Sequence, residues 1–159
     1  MQIGLSEVKA RCERDRFFAY SGFHDRLFAP IAVYLAWLSL WLGVSGNQVS
    51  WISGFVAVIG GFMLATNDPL LILIGSFGYI IWYLLDYVDG VVARIEGKGG
   101  VSGQYIDWIM HVIAHTAIVS GICIGAMENT GAWLLPFVIM SIIASVLSFA
   151  KISMGWFAI

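Results

Sequence analysis

Long apolar segments separated by short polar turns are the feature of this sequence that most constrains its fold. The segments cover residues 28–44, 49–66, 70–85, 106–127 and 133–150. A helix needs about 20 mainly apolar residues to cross the hydrocarbon core of a bilayer. The last four segments approach that length once their flanks are included, whereas the first is borderline. The pattern therefore predicts an all-α integral membrane protein.

The composition excludes an ordinary soluble domain. Hydrophobic residues make up 60% of the chain and charged residues only 11%, and the mean hydropathy is +0.87. The 7 Trp, 6 Tyr and 10 Phe residues suit a protein with aromatic anchors at two lipid–water interfaces. The sequence contains no linker, no clear internal repeat and no basic patch for nucleic acid. We therefore expect one membrane domain over residues 1–159 that binds no nucleic acid.

The distribution of basic residues indicates how the segments are oriented. They precede the first apolar segment, follow the third or follow the fifth: Lys9, Arg11, Arg14, Arg16, Arg26, Arg94, Lys98 and Lys151. The turns at residues 67–69 and 128–131 contain none. If residues 28–44 lie in the membrane interface and do not cross the membrane, every basic residue falls on one side of the membrane, as the positive-inside rule prefers.

We therefore predict a juxtamembrane interfacial helix over residues 7–44, followed by about four transmembrane helices within residues 49–153. The basic side, which includes the end of the third apolar segment, then faces the cytoplasm. Residues 28–44 lack a polar stripe, however, so a true membrane span over these residues stays open as an alternative.

Ionisable residues cluster where two apolar segments approach each other in sequence. Asp86 and Asp89 are three residues apart, so they share a face if this stretch is helical, and Asp107 and His111 share a face on the next helix. We expect residues 96–103 to form a flexible turn that packs the two helices antiparallel, with these faces opposed. Three carboxylates and an imidazole then point into one small volume.

Such a cluster predicts a divalent-metal site. Unneutralised carboxylates would repel one another, and desolvating them is costly. Mg²⁺ or Mn²⁺ resolves both problems, because these ions prefer carboxylate oxygens and bridge readily to phosphate. The small residues Gly90, Ala93 and Gly103 leave space in which a substrate could approach the backbone.

The same residues resemble the signature of the CDP-alcohol phosphatidyltransferases. That signature is Asp, two residues, Asp-Gly, two residues, Ala-Arg, eight residues, Gly, three residues, Asp. It is matched in residue type and spacing by Asp86, Asp89, Gly90, Ala93, Arg94, Gly103 and Asp107. Residues 46–50, which read Gly-Asn-Gln-Val-Ser, are also similar to the Pro-Asn-x-x-Thr element that precedes the first span in many members. The resemblance covers nearly the whole chain.

The resemblance implies a specific activity in phospholipid biosynthesis. Family members bind a CDP-linked donor at a two-metal site on the cytoplasmic side of the membrane. They transfer a phosphate-linked group to an alcohol and release CMP. The partners it implies are a CDP-linked donor such as CDP-diacylglycerol, an alcohol acceptor, membrane lipids and a second copy of the chain, since homodimers are common in the family.

It also implies roles for individual residues. Asp86, Asp89 and Asp107 would bind the two Mg²⁺ or Mn²⁺ ions. The implied substrate-binding residues are Gly90, Ala93, Arg94 and Gly103. Gly90 and Ala93 would make room for the cytidine, and Arg94 would contribute charge near the nucleotide or pair with an acidic neighbour.

The sequence departs from the family pattern in two respects. His111 stands where the family has a fourth Asp, the usual candidate for the base that deprotonates the attacking hydroxyl. A histidine can serve as that base and can also bind a metal, so we predict both roles for His111. Members usually have six spans, whereas this sequence ends after the fourth. We therefore expect a fragment, a naturally short form, or an acceptor pocket completed by another chain.

Two alternatives to the enzyme remain. A catalytically impaired homologue would bind divalent metal and nucleotide without turnover, and a cation transporter would use the acidic cluster as a relay. A simple cation path would not need the Gly90-x-x-Ala93-Arg94 pattern. Among the remaining polar residues, we expect His115 to be hydrogen-bonded within the helix bundle in preference to binding a metal, and Asn47 to cap a helix that starts at residue 49.

Overall fold

The computed structural model describes residues 3–14, 23–97 and 100–130, together with residues 139, 142 and 143. These residues are helical, apart from short turns, and contain no strand. The helices with assigned bounds are α1 (Leu5–Arg14), α2 (Phe23–Trp41), α3 (Gly46–Leu64), α4 (Pro69–Glu96) and α5 (Val101–Thr130). The predicted all-α class is therefore confirmed. The predicted span over residues 133–150 lies almost entirely outside the described residues.

Three of these helices are long and apolar enough to cross a membrane: α3, α4 and the part of α5 from Val101 to Ala126. Their outer surfaces carry large apolar side chains, and Phe62 on α3 is 73% exposed. An extended apolar surface of this kind is unfavourable in water and favourable against lipid. The chain is therefore a membrane-embedded protein.

Helix α3 starts at a reciprocal pair of hydrogen bonds between Ser45 and Gln48. The Gln48 backbone N–H donates to Ser45 Oγ at 3.4 Å, and the Ser45 backbone N–H donates to Gln48 Oε1 at 2.9 Å. This is a capping box, which satisfies amide groups that the first helical turn leaves unpaired. The expectation that Asn47 caps a helix starting at residue 49 is wrong, because the Ser-x-x-Gln pattern starts the helix at Gly46.

Helix α4 starts after Asp68 and continues through the acidic motif. Asp68 Oδ1 accepts hydrogen bonds from the backbone N–H groups of Leu70 and Leu71, at 2.8 and 3.2 Å. Pro69 occupies the first helical position, where its missing N–H costs nothing. Because the helix continues to Glu96, the third apolar segment and both carboxylates of the motif lie on one helix, as predicted.

The connection between α4 and α5 is shorter than predicted. Gly97 has a φ of 67°, a backbone conformation that favours glycine, and its N–H donates to Arg94 O at 3.3 Å. Helix α4 extends to Glu96 and α5 already begins at Val101, so the predicted flexible turn over residues 96–103 is too long at both ends. Gly103 consequently lies in the first turn of α5, where its N–H donates to Gly100 O at 3.0 Å.

The chain divides into two compact units, Met1–Ser53 with Ile81–Trp108, and Gly54–Ile80 with Ile109–Ile159. In the first unit, α2 presents small side chains to the core, namely Ala29, Ala32, Val33 and Ala36. These pack in one cluster with Val8 and Cys12 of α1, and with residues 88, 91, 92 and 95 of α4. Small side chains let the helix axes approach closely, which increases the van der Waals contact that stabilises helix pairs in lipid.

Glycines provide the close approach in the second unit. A Cβ on Gly60 would lie 3.2 Å from Gly75 O, so α3 and α4 pack with their backbones nearly in contact there. Any Cβ on Gly61 or Gly121 would overlap backbone atoms of the facing helix. Larger residues at these positions would force the helices apart.

The predicted juxtamembrane segment contains α1 and α2, which are joined by a side-chain contact. Lys9 Nζ donates to Tyr34 Oη at 2.8 Å and lies 4.4 Å from the centre of the Tyr34 ring. Tyr34 lies near the middle of α2, so an α2 that crossed the bilayer would carry the Lys9 charge to mid-depth, where it is costly. The interfacial location remains a prediction, and this contact supports it.

Candidate metal centre

Helices α4 and α5 bring Asp86 and Asp107 together. Each residue offers a carboxylate oxygen, and the two oxygens lie within 4.8 Å of each other. His111 follows Asp107 by one turn of α5, and one of its ring nitrogens lies within the same distance of the Asp107 oxygen. All three side chains are half-buried. The structure thus brings together two of the three predicted carboxylate ligands, and α5 carries the predicted imidazole one turn after the second of them.

The spacing of these ligand atoms fits a divalent ion. Mg²⁺ binds oxygen at about 2.1 Å, so two ligands of one octahedral ion lie about 3 Å apart. Half-buried side chains can close the remaining gap by rotating about their χ angles. The donor set combines carboxylates, which suit Mg²⁺ and Mn²⁺, with an imidazole, which suits transition metals. The residues present therefore fit the predicted ion.

Asp89 has a different environment from the other two carboxylates. Its side chain is 7% exposed, and its Oδ2 accepts a hydrogen bond of 2.6 Å from Ser50 Oγ, which is itself 3% exposed. Asp89 does not belong to the three-residue group. Its predicted role as a metal ligand stays a prediction.

Ser50 is the functional candidate that sequence reasoning overlooked. It lies 39 residues before Asp89, and no helical periodicity connects the two positions. The available signal was the similarity of residues 46–50 to a family element, because that similarity placed a hydroxyl at position 50. The structure shows that this hydroxyl contacts the acidic motif.

The start of α3 packs directly on the same stretch of α4. A Cβ on Gly46 would lie 3.0 Å from Ala93 Cβ and 3.1 Å from Asp89 O, so only glycine fits there without movement. Glu96 Oε2 also accepts a 3.5 Å hydrogen bond from the Gly46 N–H, which places a carboxylate at the positive end of the α3 dipole. The two elements that carry the family resemblance are therefore in contact. This packing accounts for the small size of Ala93, and its predicted role in substrate binding stays a prediction.

Gly90 leaves an open surface on α4. The nearest atom to a Cβ built there is Arg94 Nη1, at 3.8 Å, so the guanidinium lies over the Gly90 backbone. Arg94 itself is exposed. An exposed guanidinium can donate two parallel N–H bonds to the oxygens of a phosphate group. The substrate-binding roles predicted for Gly90, Arg94 and Gly103 stay predictions.

His115 is hydrogen-bonded within its own helix. Its Nδ1 lies 3.0 Å from His111 O, and its ring stacks on the His111 ring with centroids 6.2 Å apart. Because a carbonyl oxygen only accepts, Nδ1 of His115 carries the hydrogen in this bond. The expectation that His115 is hydrogen-bonded is confirmed, although its acceptor is the backbone of the same helix.

An aromatic cluster flanks Asp86 on α4. Phe28 of α2 packs edge-on against Tyr83 with ring centroids 5.4 Å apart, and Tyr87 lies 6.4 Å from the Phe28 centroid. The two tyrosine hydroxyls are hydrogen-bonded to each other at 3.3 Å. These rings anchor α2 beside the acidic motif. Phe28 is far from the two tyrosines in sequence, so the sequence alone does not predict the cluster.

No protein-family model matches this chain, and no curated protein matches its sequence. The resemblance to the CDP-alcohol phosphatidyltransferases rests on the residues of the two motifs described above.

Proposed function

We propose that this protein is a metal-dependent CDP-alcohol phosphotransferase. It transfers a substituted phosphate group from a CDP-linked donor, such as CDP-diacylglycerol, to an alcohol acceptor and releases CMP. The observation that carries the proposal is the approach of Asp86 to within 4.8 Å of Asp107, with His111 one turn further along α5. Phosphoryl transfer needs such a concentration of metal ligands, because its main requirement is to position and neutralise phosphate oxygens.

Each side chain of the site has a separate role in the proposed mechanism. Asp86 and Asp107 would hold Mg²⁺ or Mn²⁺, and a bound ion would supply charge neutralisation at the donor pyrophosphate and at the departing CMP oxygen. Asp89 completes the carboxylate set. Arg94 faces the donor phosphates, and the open backbone at Gly90 lets the nucleotide approach α4.

His111 acts as the general base in this mechanism. It takes the proton of the acceptor hydroxyl as that oxygen forms a bond to the donor's β-phosphorus. The bond between the β-phosphorus and the bridging oxygen breaks, and that oxygen leaves with CMP. Imidazole has two nitrogens, so one can face the carboxylates while the other accepts the proton.

We place the site at the cytoplasmic side of the cell membrane. Arg94 lies in the last turn of α4, and Lys9 and Arg11 lie on α1, which packs in the same unit. Basic residues concentrate on the cytoplasmic side of membrane proteins. The polar donor and CMP are then available from that side.

The experiment that tests the proposal is CMP release by the purified full chain. CDP-diacylglycerol and soluble CDP-alcohols are supplied in turn with a panel of alcohols, in the presence of Mn²⁺, Mg²⁺ or EDTA. We expect CMP from at least one donor–acceptor pair with metal and none with EDTA. CMP formation that EDTA leaves unchanged, or no CMP from any pair, would overturn the proposal.

A catalytically impaired homologue is the second candidate, and His111 is the observation that favours it. Replacing the family's fourth carboxylate by imidazole removes one negative charge, which weakens binding of a second cation. Such a protein would bind Mn²⁺ and a CDP-linked donor together without forming CMP. Equilibrium binding of a CDP-alcohol, measured with and without Mn²⁺, separates this candidate from the enzyme.

A further inference from the structure

The hydroxyl of Ser50 is poised between two acceptors. Ser50 Oγ lies 2.6 Å from Asp89 Oδ2 and 3.2 Å from Gly46 O, in its own helix. A serine hydroxyl has one hydrogen to donate. The shorter contact is within the range of a charge-assisted O–H···O⁻ bond, about 2.5–2.7 Å, whereas the longer one is weak. The hydrogen therefore goes to the carboxylate.

Burial makes this bond strong. Ser50 is 3% exposed and Asp89 7% exposed, so water does not compete for either group. In such an environment a carboxylate that loses its donor keeps its full desolvation cost. Without the hydroxyl, the Asp89 side chain would rotate toward another partner.

The start of α3, which lies one turn before Ser50, is also held in place by specific contacts. The capping box between Ser45 and Gln48 sets the first turn of α3. Gly46 brings that turn within van der Waals contact of the α4 backbone at Asp89. Ser50 therefore presents its hydroxyl from a rigid backbone, and its position relative to Asp89 is set before any ligand binds.

We propose that Ser50 is a positioning residue that orients Asp89 for the metal centre. The bond holds Oδ2 and so fixes the rotation of the carboxylate, which sets the direction of its other oxygen. This inference rests on the proposed function, because it assigns to Asp89 the ligand role that the family resemblance implies. It extends that proposal to a residue on a helix outside the acidic motif.

The test is the affinity of the purified full chain for Mn²⁺, measured by electron paramagnetic resonance of the free ion. We expect Ser50→Ala to weaken Mn²⁺ binding by about 10-fold or more, as loss of an outer partner of a metal ligand does. Ser50→Thr keeps the hydroxyl and should bind within about 3-fold of wild type. Ser50→Cys offers a poorer donor and should fall between the two.

Ser53→Ala is the matched control. Ser53 is equally buried, at 2% exposed, but its hydroxyl donates to Ser50 O at 2.8 Å, so the variant removes a buried hydroxyl without touching Asp89. A general packing defect should affect Ser53→Ala and Ser50→Ala alike. We expect the melting temperature to fall similarly in both, and the Mn²⁺ affinity to fall only in Ser50→Ala.

A double-mutant cycle tests whether Ser50 acts through Asp89. In an Asp89→Asn background, Ser50→Ala should change Mn²⁺ affinity by less than about 2-fold, since the two residues are coupled. Unchanged Mn²⁺ affinity in Ser50→Ala alone, or an undiminished effect in the Asp89→Asn background, would overturn the inference. Mn²⁺ binding that depends on Ser50 without CMP formation would instead refute only the enzyme.

Discussion

Asp86 on α4 and Asp107 on α5 place carboxylate oxygens within 4.8 Å of each other across the connection that joins the two helices. Two half-buried like charges at this separation repel each other. The repulsion acts against the packing of α4 on α5, and a cation removes it. A divalent ion bound between the two carboxylates would therefore stabilise the fold.

Asp107→Asn should change the melting temperature relative to wild type in opposite directions with and without metal. In EDTA the variant lacks the repulsion, so its melting temperature should match or exceed wild type, by up to about 4 °C if the repulsion costs about 1 kcal/mol. Added Mn²⁺ should raise the melting temperature of wild type and leave the variant nearly unchanged, because ligand binding stabilises only the state that binds it. Thermal unfolding in detergent measures both, and CMP release from Asp107→Asn should be abolished.

Asp68→Asn provides the control for that experiment. Asp68 is exposed and caps the start of α4, far along the helix from Asp86. We expect a small loss of stability from the weakened cap, the same in EDTA and in Mn²⁺. Full CMP release by Asp107→Asn, or an Mn²⁺ response equal to wild type, would refute its assignment as a ligand.

His111 and His115 allow the proposed base to be tested against a neighbour of the same residue type. His111→Ala should lower kcat for CMP release by about 10²–10⁴-fold, the usual contribution of a general base. His115→Ala removes a stacked imidazole one turn away that is hydrogen-bonded to its own helix, so kcat should change by less than about 3-fold. Steady-state assays of both variants at saturating metal make the comparison.

A second variant, His111→Asp, tests the metal preference that the imidazole should give the site. His111→Asp recreates the family's fourth carboxylate, which can serve in both roles and adds a negative charge. We expect it to retain activity and to bind Mg²⁺ more tightly relative to Mn²⁺ than wild type, since imidazole favours transition metals. Equal losses of kcat in His111→Ala and His115→Ala would mean that His111 has no specific part in catalysis.

The parts of the site that sequence predicted are those set by local helix geometry. Spacings of three and four residues place Asp86 with Asp89, and Asp107 with His111, on shared helix faces, and the structure keeps each pair on a single helix. Apolar length alone predicted the three membrane-length helices of the described residues, and the fourth predicted span lies almost entirely outside those residues. These features depend on neighbours within one or two turns, and a sequence displays such neighbours directly.

What sequence could not supply was the contact that α3 makes with the acidic motif. The Ser50–Asp89 bond and the contact of Gly46 with Ala93 join positions on different helices, so they depend on how those helices pack. The error at Asn47 has a local cause. The Ser45-x-x-Gln48 pattern is present in the sequence, and its reciprocal hydrogen bonds start the helix ahead of Asn47.

Gly46 is the glycine beside the acidic motif at which a larger residue should be poorly tolerated. A Cβ there would lie 3.0 Å from Ala93 Cβ and 3.1 Å from Asp89 O, and one of these neighbours is backbone. Gly46→Ala should therefore lower the free energy of unfolding by about 1–3 kcal/mol, the usual cost of overpacking. Because the displaced atoms adjoin Asp89, Mn²⁺ affinity should fall with it.

Gly100→Ala is the matched substitution in open space. Nothing lies within 4 Å of a Cβ at that position, so we expect a neutral or slightly stabilising effect from the reduced freedom of the unfolded chain. Denaturant or thermal unfolding of the two variants compares them. Equal stability of both would show that α3 does not approach α4 as closely as the structure places it.

The contact between Lys9 and Tyr34 predicts the topology of the N-terminal region. If α2 lies in the interface, Glu7 on α1 and Asn47 at the start of α3 are on the same side of the membrane, and Asn67 at the end of α3 is on the other. Single cysteines at these three exposed positions, in a background lacking Cys12 and Cys123, can be labelled with an impermeant maleimide in sealed inverted vesicles and in intact cells. We expect Glu7→Cys and Asn47→Cys to react only from the cytoplasmic side and Asn67→Cys only from the other.

Opposite sidedness for Glu7→Cys and Asn47→Cys would mean that α2 crosses the bilayer, and the Lys9 ammonium would then have to be neutralised at depth. Lys9→Met distinguishes the two situations, because it removes the charge and keeps an apolar stem over Tyr34. For an interfacial α2 the substitution should change stability by less than about 1 kcal/mol, as for an exposed cation–π contact. For a spanning α2 it should stabilise the protein clearly, since a charge at the bilayer centre costs about 2.5 kcal/mol or more.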